Sequence, residues 1–250
     1  MSSTMLQLVQ QTTSELNLAI PTYVAGNTNQ DVQQVLALMN RQGYDLVKEY
    51  DWQALQLEYR FYTDAVTFVG ATISDQSYNI IVTGDATALN GNFTITGTGI
   101  NQDTYVSSVT YNSGTGLSTI VMSQLASGTY AGVTFTFSQT KYPLPPDFET
   151  ITDNTHWDKT KHWQMLGPED AQQWQWLKSG YISTGPRIRW RILGNKFQIW
   201  PPYNTQEYLG FEYRSKGWAR SATDQVKNSF TADTDTTIFD DTVLVLNTTL

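Results

Sequence analysis

The placement of basic residues divides this chain into parts. Residues 65–140 contain no lysine or arginine, whereas residues 141–220 contain 11 of the 15 in the chain and seven of its eight tryptophans. The cation-free stretch is rich in Thr, Ser, Gly and Val, a composition that favours short strands joined by turns. We therefore predict three segments, 1–64, 65–140 and 141–250.

Composition excludes several classes of protein. The 250 residues include no cysteine, which excludes disulfides, thiolate metal sites and a cysteine nucleophile. The net charge of −8 disfavours a free-standing DNA-binding protein, because neutralisation of phosphate supplies most of that affinity. No apolar run approaches the roughly 20 residues that cross a bilayer, and the start of the chain does not read as a signal peptide. We expect assembly in a reducing cytoplasm.

The first segment opens with two predicted helices. Ser3 is a candidate cap for a helix that runs to about Leu16. In residues 31–50 the apolar residues recur at helical spacing, with Gly43 on the same stripe. After Trp52 the apolar and polar residues alternate up to Tyr62, which predicts a strand.

The second segment predicts a small all-β module. Five short apolar stretches are separated by turns, at the spacing of a β-sandwich or barrel: "YNIIVTG", "GNFTITGTG", "TYVSSVTYN", "STIVMSQL" and "GVTFTFSQ". The flanking stretches Gln56–Tyr62 and Thr134–Leu144 both look extended. A module added at the tip of a hairpin is well tolerated, so we expect residues 65–140 to be an insertion.

The third segment predicts a mixed architecture. Asp147 is placed to cap a short helix through about Asp153, and a second helix is expected over residues 168–179. Three apolar stretches then follow, with a tight turn at Gly194-Asn195, which predicts a β-meander. The expected fold class is α+β: N-terminal helices packed with a meander and a further helix (1–64 and 141–250), plus a sandwich-like insertion (65–140).

Both histidines lie in one stretch, "THWDKTKHW", together with Asp158. His156 and His162 are six residues apart, which would point them in well-separated directions on a helix. The sequence pattern also indicates no third metal ligand. Structural or surface histidines are the favoured interpretation. The neighbouring Trp157 and Trp163 are predicted to be packing anchors.

Other motifs give no support for catalysis. "TADTDTTIFDD" places Asp233 and Asp235 like the first two ligands of a calcium loop, but Ile238 stands where that loop needs glycine. A capping and turn role is favoured there. "GTGINQ" lacks a following helix, and no serine stands in a G-x-S-x-G sequence. The sequence predicts no enzyme, no cofactor and no metal site.

Arginines and tryptophans in the third segment mark candidate contacts. Arg187, Arg189 and Arg191 alternate with apolar residues and would face one way on a strand. They form either a solvated face or a surface for a partner's carboxylates or DNA phosphates. Most tryptophans are predicted to lie in the core or an interface.

The order of motifs in residues 142–218 resembles the adaptor proteins of short-tailed phages, known as tail tubular protein A or head-to-tail connectors. The matching stretches are "YPLPPDF" (142–148), "THWD" (155–158), "LGPEDAQQWQWLKSG" (166–180), "RIRWRILGNKFQIWPP" (187–202) and "FEYRSKGW" (211–218). The N-terminal helix pair also looks like this group. The resemblance covers about residues 1–62 and 141–240.

The resemblance implies a virion protein at the head–tail junction of a bacteriophage. Such subunits form a homo-oligomeric ring, commonly of twelve, between the portal and the tail nozzle. Double-stranded DNA passes through this ring during genome ejection without sequence-specific binding. Residues 65–140 depart from the pattern as an addition that we expect to bind a tail fibre, a neighbouring subunit or a glycan. The chain also stops where similar proteins continue into a C-terminal helix.

A closed ring needs two different faces on each subunit, which the helices at 31–50 and 168–179 are expected to supply. The candidate subunit and portal contacts are therefore Val35, Met39, Leu46, Trp174, Trp176, Arg187, Arg189 and Arg191. Two alternatives stay open. One is a carbohydrate-binding or adhesin-like protein that uses the β-module and aromatic side chains, and the other is a metal-assisted hydrolase built on His156, Asp158 and His162.

Overall fold

A computed structural model describes residues 3–180 and 187–249 of the chain. Over these residues the fold is α+β with a β-rich majority. The α-helices are α1 (Met5–Glu15), α2 (Gln30–Glu49), α3 (Ala171–Lys178) and α4 (Asp241–Thr249). None of the helices in this part of the chain is long and apolar enough to span a membrane.

The strands are short and pair almost entirely antiparallel. They are β1 (Gln56–Tyr62), β2 (Ala65–Ile73), β3 (Asn79–Thr83), β4 (Phe93–Gly97), β5 (Val106–Asn112), β6 (Leu117–Met122), β7 (Tyr130–Gln139), β8 (Lys141–Pro143), β9 (Phe148–Ile151), β10 (Trp157–Asp158), β11 (Trp163–Gln164), β12 (Arg189–Leu193), β13 (Lys196–Trp200), β14 (Tyr208–Ser215), β15 (Ala219–Arg220), β16 (Val226–Lys227) and β17 (Thr236–Thr237). All five strands predicted from residues 78–139 are present as β3 to β7. The prediction did not include β2.

The chain divides into two compact units. Unit 1 consists of Met1–Glu58, Pro145–Thr152 and Glu212–Leu250, and unit 2 of Tyr59–Leu144 and Asp153–Phe211. Strands β1 and β14 each contribute residues to both units. These divisions fall at other positions than the predicted segment boundaries at 64/65 and 140/141. The predicted boundaries stay a prediction.

Unit 1 is built on helices. An apolar core lies between α1, α2 and α4. Its fully buried members include Met5, Met39, Leu244 and Trp218. The buried face of α2 follows the stripe predicted from its sequence, including Gly43. A small sheet with the order β16-β15-β17 belongs to the same unit.

Unit 2 contains a six-stranded antiparallel sheet with the order β4-β7-β2-β3-β6-β5. Its edge strands approach each other, because a bridge joins Thr94 to Tyr105 and the Ile95 amide donates to the Thr104 carbonyl at 2.8 Å. The sheet encloses its own apolar core, whose buried members all lie between residues 71 and 137. A second sheet in unit 2 has the order β12-β13-β8.

Helix starts differ from the prediction where capping chemistry decides them. Thr4, not Ser3, caps α1, because its hydroxyl accepts from the Gln7 amide while the Gln7 side chain accepts from the Thr4 amide. α3 begins at Ala171, later than predicted, since the Asp170 carboxylate accepts from the Gln173 amide at 2.7 Å. The α2 cap is Asn29.

The predicted helix after Asp147 is wrong. Residues 148–151 form β9, which pairs with β14 in the register Tyr213↔Ile151. The Asp147 carboxylate accepts from the Tyr213 and Ser215 hydroxyls instead of capping helix amides. Strand pairing across more than 60 residues therefore overrides the local capping signal.

The predicted meander is correct only in its first hairpin. β12 and β13 pair through the Gly194-Asn195 turn, where both residues have positive φ (60° and 57°). The other neighbour of β13 is β8, in the register Phe197↔Tyr142, and not β14. Pro201 and Pro202 follow β13 and lack the amide donors that a continuing ladder needs.

Candidate functional site

His156 is a core residue of unit 2. Its side chain is 1% exposed and stacks on Trp190, with ring centroids 3.8 Å apart and an interplanar angle of 24°. Phe197 and Phe211 also lie within stacking distance. Its Nε2 atom is buried without a hydrogen-bond partner among the described residues. Burial lowers the pKa of His156 to about 4, so the imidazole is neutral near pH 7.

His162 does not join His156 in a site. It is exposed and has positive φ (57°) in the turn between β10 and β11. His156 is thus a core residue and His162 a surface residue, the two environments named in the favoured interpretation of structural or surface histidines. Among the described residues no group of three or more His, Asp or Glu side chains is placed to hold a metal ion.

Asp158 belongs to a buried polar cluster that the sequence did not signal. The Asp158 carboxylate accepts from the Tyr203 hydroxyl and, at 2.9 Å, from the Lys161 amide. The Lys161 ammonium lies 3.2 Å from the Glu207 carboxylate and over the Tyr203 ring. Burial and the Asp158 carboxylate raise the pKa of Tyr203, so Tyr203 keeps its proton. The cluster connects β10 to the loop before β14. Because its charged groups are paired or hydrogen-bonded, we interpret it as a structural network.

The acidic loop near the C-terminus has the turn role favoured by the sequence. Asp235 is 1% exposed, and its carboxylate accepts from the Lys227 ammonium and from the Thr231 and Ala232 amides at 2.8 and 2.9 Å. Burial works against ionisation, but these donors outweigh it and lower the pKa of Asp235. Asp233 accepts from the Val24 and Ala25 amides.

The candidate contacts on α2 lie inside the protein. Val35, Met39 and Leu46 are at most 3% exposed and belong to the core of unit 1. This placement corrects the choice of residues, because side chains that stabilise the subunit's own core are not available to a partner. Leu38 and Tyr44, which lie off the buried stripe of the helix, are exposed.

The two tryptophans of α3 have different environments. Trp174 is 1% exposed and packs with Leu177 and Trp200, so it is also a core residue and not a contact. Trp176 is 53% exposed beside Asp170, Gln172 and Gln173. Of the helical candidates, only Trp176 is available to a partner.

The three arginines do not form one free basic face. Ile188 and Trp190 are buried as the alternation predicted, but Arg187 precedes β12 and is exposed. Arg189 pairs with the Glu169 carboxylate at 2.5 Å. Arg191 is half-buried. The charge offered to an anionic partner is therefore smaller than the sequence suggests.

A group of three aromatic side chains, two exposed and one (Tyr208) half-buried, was missed by the sequence reasoning. Tyr62 and Trp157 are 60% and 43% exposed, and Tyr62 stacks on Tyr208 with centroids 4.7 Å apart. Trp157 pairs with Gly210, two residues from Tyr208, so these side chains project from the same side of β14 and β10. We call Tyr62, Trp157 and Tyr208 the aromatic face.

The aromatic face corrects the expectation that Trp157 and Trp163 are packing anchors. Both are exposed, at 43% and 40%, because β10 and β11 are two-residue strands with β11 at the edge of its sheet. Gly210 lets the Lys159 side chain pack directly over the strand between these aromatic residues, since an added Cβ would lie 2.7 Å from it. Exposure of this kind depends on strand pairing that a single sequence does not reveal.

No protein-family model, curated protein or solved structure matches this chain.

Proposed function

We propose that this chain is a structural protein of a bacteriophage virion. Identical subunits assemble in the host cytoplasm into an adaptor ring between the portal and the tail nozzle, and double-stranded DNA passes through the ring during genome ejection. The role is one of assembly, without catalysis, cofactor or metal. The proposal rests on the ordered motifs in residues 142–218, and the aromatic face supports it.

The aromatic face supports the proposal because of its position on the matched motifs. Trp157 belongs to "THWD", and Tyr208 begins the strand that continues into "FEYRSKGW". Exposed aromatic side chains gathered on one sheet face are characteristic of protein–protein interfaces. We propose that Tyr62, Trp157 and Tyr208, together with Trp176, replace the buried residues of α2 as contacts with a neighbouring subunit or the portal.

We also propose that residues 65–140 are an inserted, sandwich-like β-module. Its first and last strands, β2 and β7, pair along their length from Ala65↔Ser138 to Ile73↔Tyr130, so the chain enters and leaves the module at adjacent positions. Among the residues that the structure describes, its core draws on none outside the segment. The Thr94–Tyr105 bridge brings the sheet edges together, so that opposite stretches of the sheet share that core.

The charge of the chain suits a conduit for DNA. With a net charge of −8, a ring of such subunits carries an excess of acid, which repels phosphate and disfavours tight binding of the DNA that passes through. Sequence-specific contacts are not expected.

Co-sedimentation with portal rings from the same phage tests the proposal. We expect the full chain to sediment with the rings, and Trp157→Ala to weaken this binding at least tenfold, as loss of a buried aromatic anchor does. Tyr130→Ala, which removes an exposed aromatic side chain from the β-module, is the control and should bind normally. Failure of the full chain to sediment with portal rings would contradict the adaptor role.

A carbohydrate-binding role is the second candidate function, and one observation favours it. Unit 2 contains a cleft of about 420 Å³. It is lined by residues 94–103 of the β-module and by residues 200–204 at the end of β13 and after it.

A further inference from the structure

The cleft of unit 2 has an apolar floor. Ile95, Ile100, Trp200, Pro201 and Pro202 line it, and of these Ile95 and Trp200 are nearly fully buried. Its volume of about 420 Å³ lies in the range of about 300–1,000 Å³ that is usual for small-molecule sites. The floor therefore matches a ligand that has apolar C–H surface and the size of one or two sugar rings.

The rim of the cleft is made of neutral polar side chains. Asn101, Gln102 and Asn204 line it and are exposed. Asn101 donates from Nδ2 to the Leu125 carbonyl at 3.0 Å, and Asn204 accepts at Oδ1 from the Ser138 hydroxyl at 3.3 Å. These bonds fix both amides, and no hydrogen bond within the described residues uses Asn101 Oδ1 or Asn204 Nδ2. The cleft thus offers one fixed acceptor and one fixed donor.

The residues that line the cleft carry almost no net charge. The described lining contains no lysine or arginine. Its one acidic residue, Asp103, pairs with the Lys178 ammonium at 2.8 Å, which leaves the site close to neutral. An anionic ligand would therefore meet no unpaired cation among the lining residues, which favours a neutral ligand.

We propose that this cleft binds a neutral saccharide. The C–H faces of a pyranose ring would lie on Ile100, Pro201 and Pro202. Its hydroxyls, which both donate and accept, would bond to Asn101 Oδ1 and Asn204 Nδ2. This site lies in unit 2 and does not depend on the adaptor role, but it would give a virion protein a contact with a cell-surface polysaccharide.

An array of neutral oligosaccharides, probed with the full chain, tests the proposal. We expect binding to hexose-containing members and no binding to sulfated or sialylated ones. The simplest bound saccharide, as its methyl glycoside, is then titrated by calorimetry. Asn101→Ala and Asn204→Ala should each weaken binding about tenfold, the effect of losing one hydrogen bond to the ligand.

The matched control is Asn79→Ala, which removes an exposed amide from β3, outside the cleft. It should bind like the unchanged chain, and thermal unfolding verifies that all three variants are folded. Array members taken from bacterial surface polysaccharides, compared with free disaccharides, distinguish a receptor from a soluble sugar. Absence of saccharide binding, binding by both cleft variants as tight as that of the unchanged chain, or binding of an extended peptide in place of saccharide overturns the proposal. Portal co-sedimentation is unaffected by these variants, so the two proposals fail independently.

Discussion

At the scale of single residues, the histidine segment shows how environment decides chemistry. His156 stacks on Trp190 in the interior of unit 2, whereas His162, six residues later, is exposed in a turn. The interior site disfavours the charged imidazolium, and the pKa of His156 falls to about 4. The residue that looked most like a ligand is therefore a neutral member of an aromatic core.

The low pKa of His156 predicts a loss of stability in mild acid. Between about pH 6.5 and 4 the unfolded chain binds a proton at this position and the folded chain does not, so stability falls as the pH falls through that window. At about 1.4 kcal/mol per pH unit, the loss amounts to about 3 kcal/mol by pH 4. His156→Phe keeps an aromatic ring in the stack and should remove this part of the pH dependence.

Urea unfolding at a series of pH values from 4 to 8 measures the effect. His162→Asn is the control, because asparagine tolerates the positive φ at that position and the His162 side chain is exposed. The same slope of stability against pH in His156→Phe and in the unchanged chain would show that another group is responsible.

At the scale of elements, sequence patterns predicted the structure correctly where the interactions that form the element lie within a few residues of one another. The stripe of α2, the Gly194-Asn195 hairpin and the five strands of the β-module were predicted because their periodicity or turn chemistry is contained in the segment itself. β9 was predicted as a helix, because the residues that hold it as a strand belong to β14, more than 60 positions away.

Gly43 of α2 gives a test in which two effects oppose each other. Alanine has the higher helix propensity by about 1 kcal/mol. A Cβ at Gly43, however, would overlap with the indole of Trp218, which is fully buried between Phe230 and Phe239 and has no space to move. Overpacking of this kind costs about 1–3 kcal/mol. After the gain in helix propensity is subtracted, we expect Gly43→Ala to destabilise the protein by about 1 kcal/mol.

Unfolding followed by circular dichroism measures this change. The control is Ala37→Gly, at an exposed position of the same helix, which should cost about 1 kcal/mol through propensity alone. A stabilised Gly43→Ala variant would mean that α2 and Trp218 do not pack as described.

At the scale of the whole molecule, the separate cores of the two units have a measurable consequence. Phe135 is fully buried in the core of the β-module. Phe135→Ala should cost about 3–5 kcal/mol in unit 2, because it removes a large side chain and leaves a cavity. The core formed by α1, α2 and α4 contains no residue of that module and should keep its stability.

Hydrogen exchange resolved by peptide distinguishes the two regions. In Phe135→Ala, peptides from residues 65–140 should lose protection while those from α1 and α2 keep it. Thr136→Ala, at the adjacent and partly exposed position, serves as the matched control and should change neither region. Equal loss of protection in α1 and α2 would show that the chain unfolds as a single cooperative unit.

The sequence by itself determined the α+β class, the helices α1 and α2, most strands of the β-module and the turn role of Asp235. These features depend on periodicity, turn residues and short-range hydrogen bonds. Only the tertiary structure decided that Met39 and Trp174 lie in the interior while Trp157 is exposed, that Asp158 is buried against Tyr203, and that Asn101 and Asn204 border one cleft. Each of these outcomes depends on pairing between residues far apart in the chain, which no local pattern records.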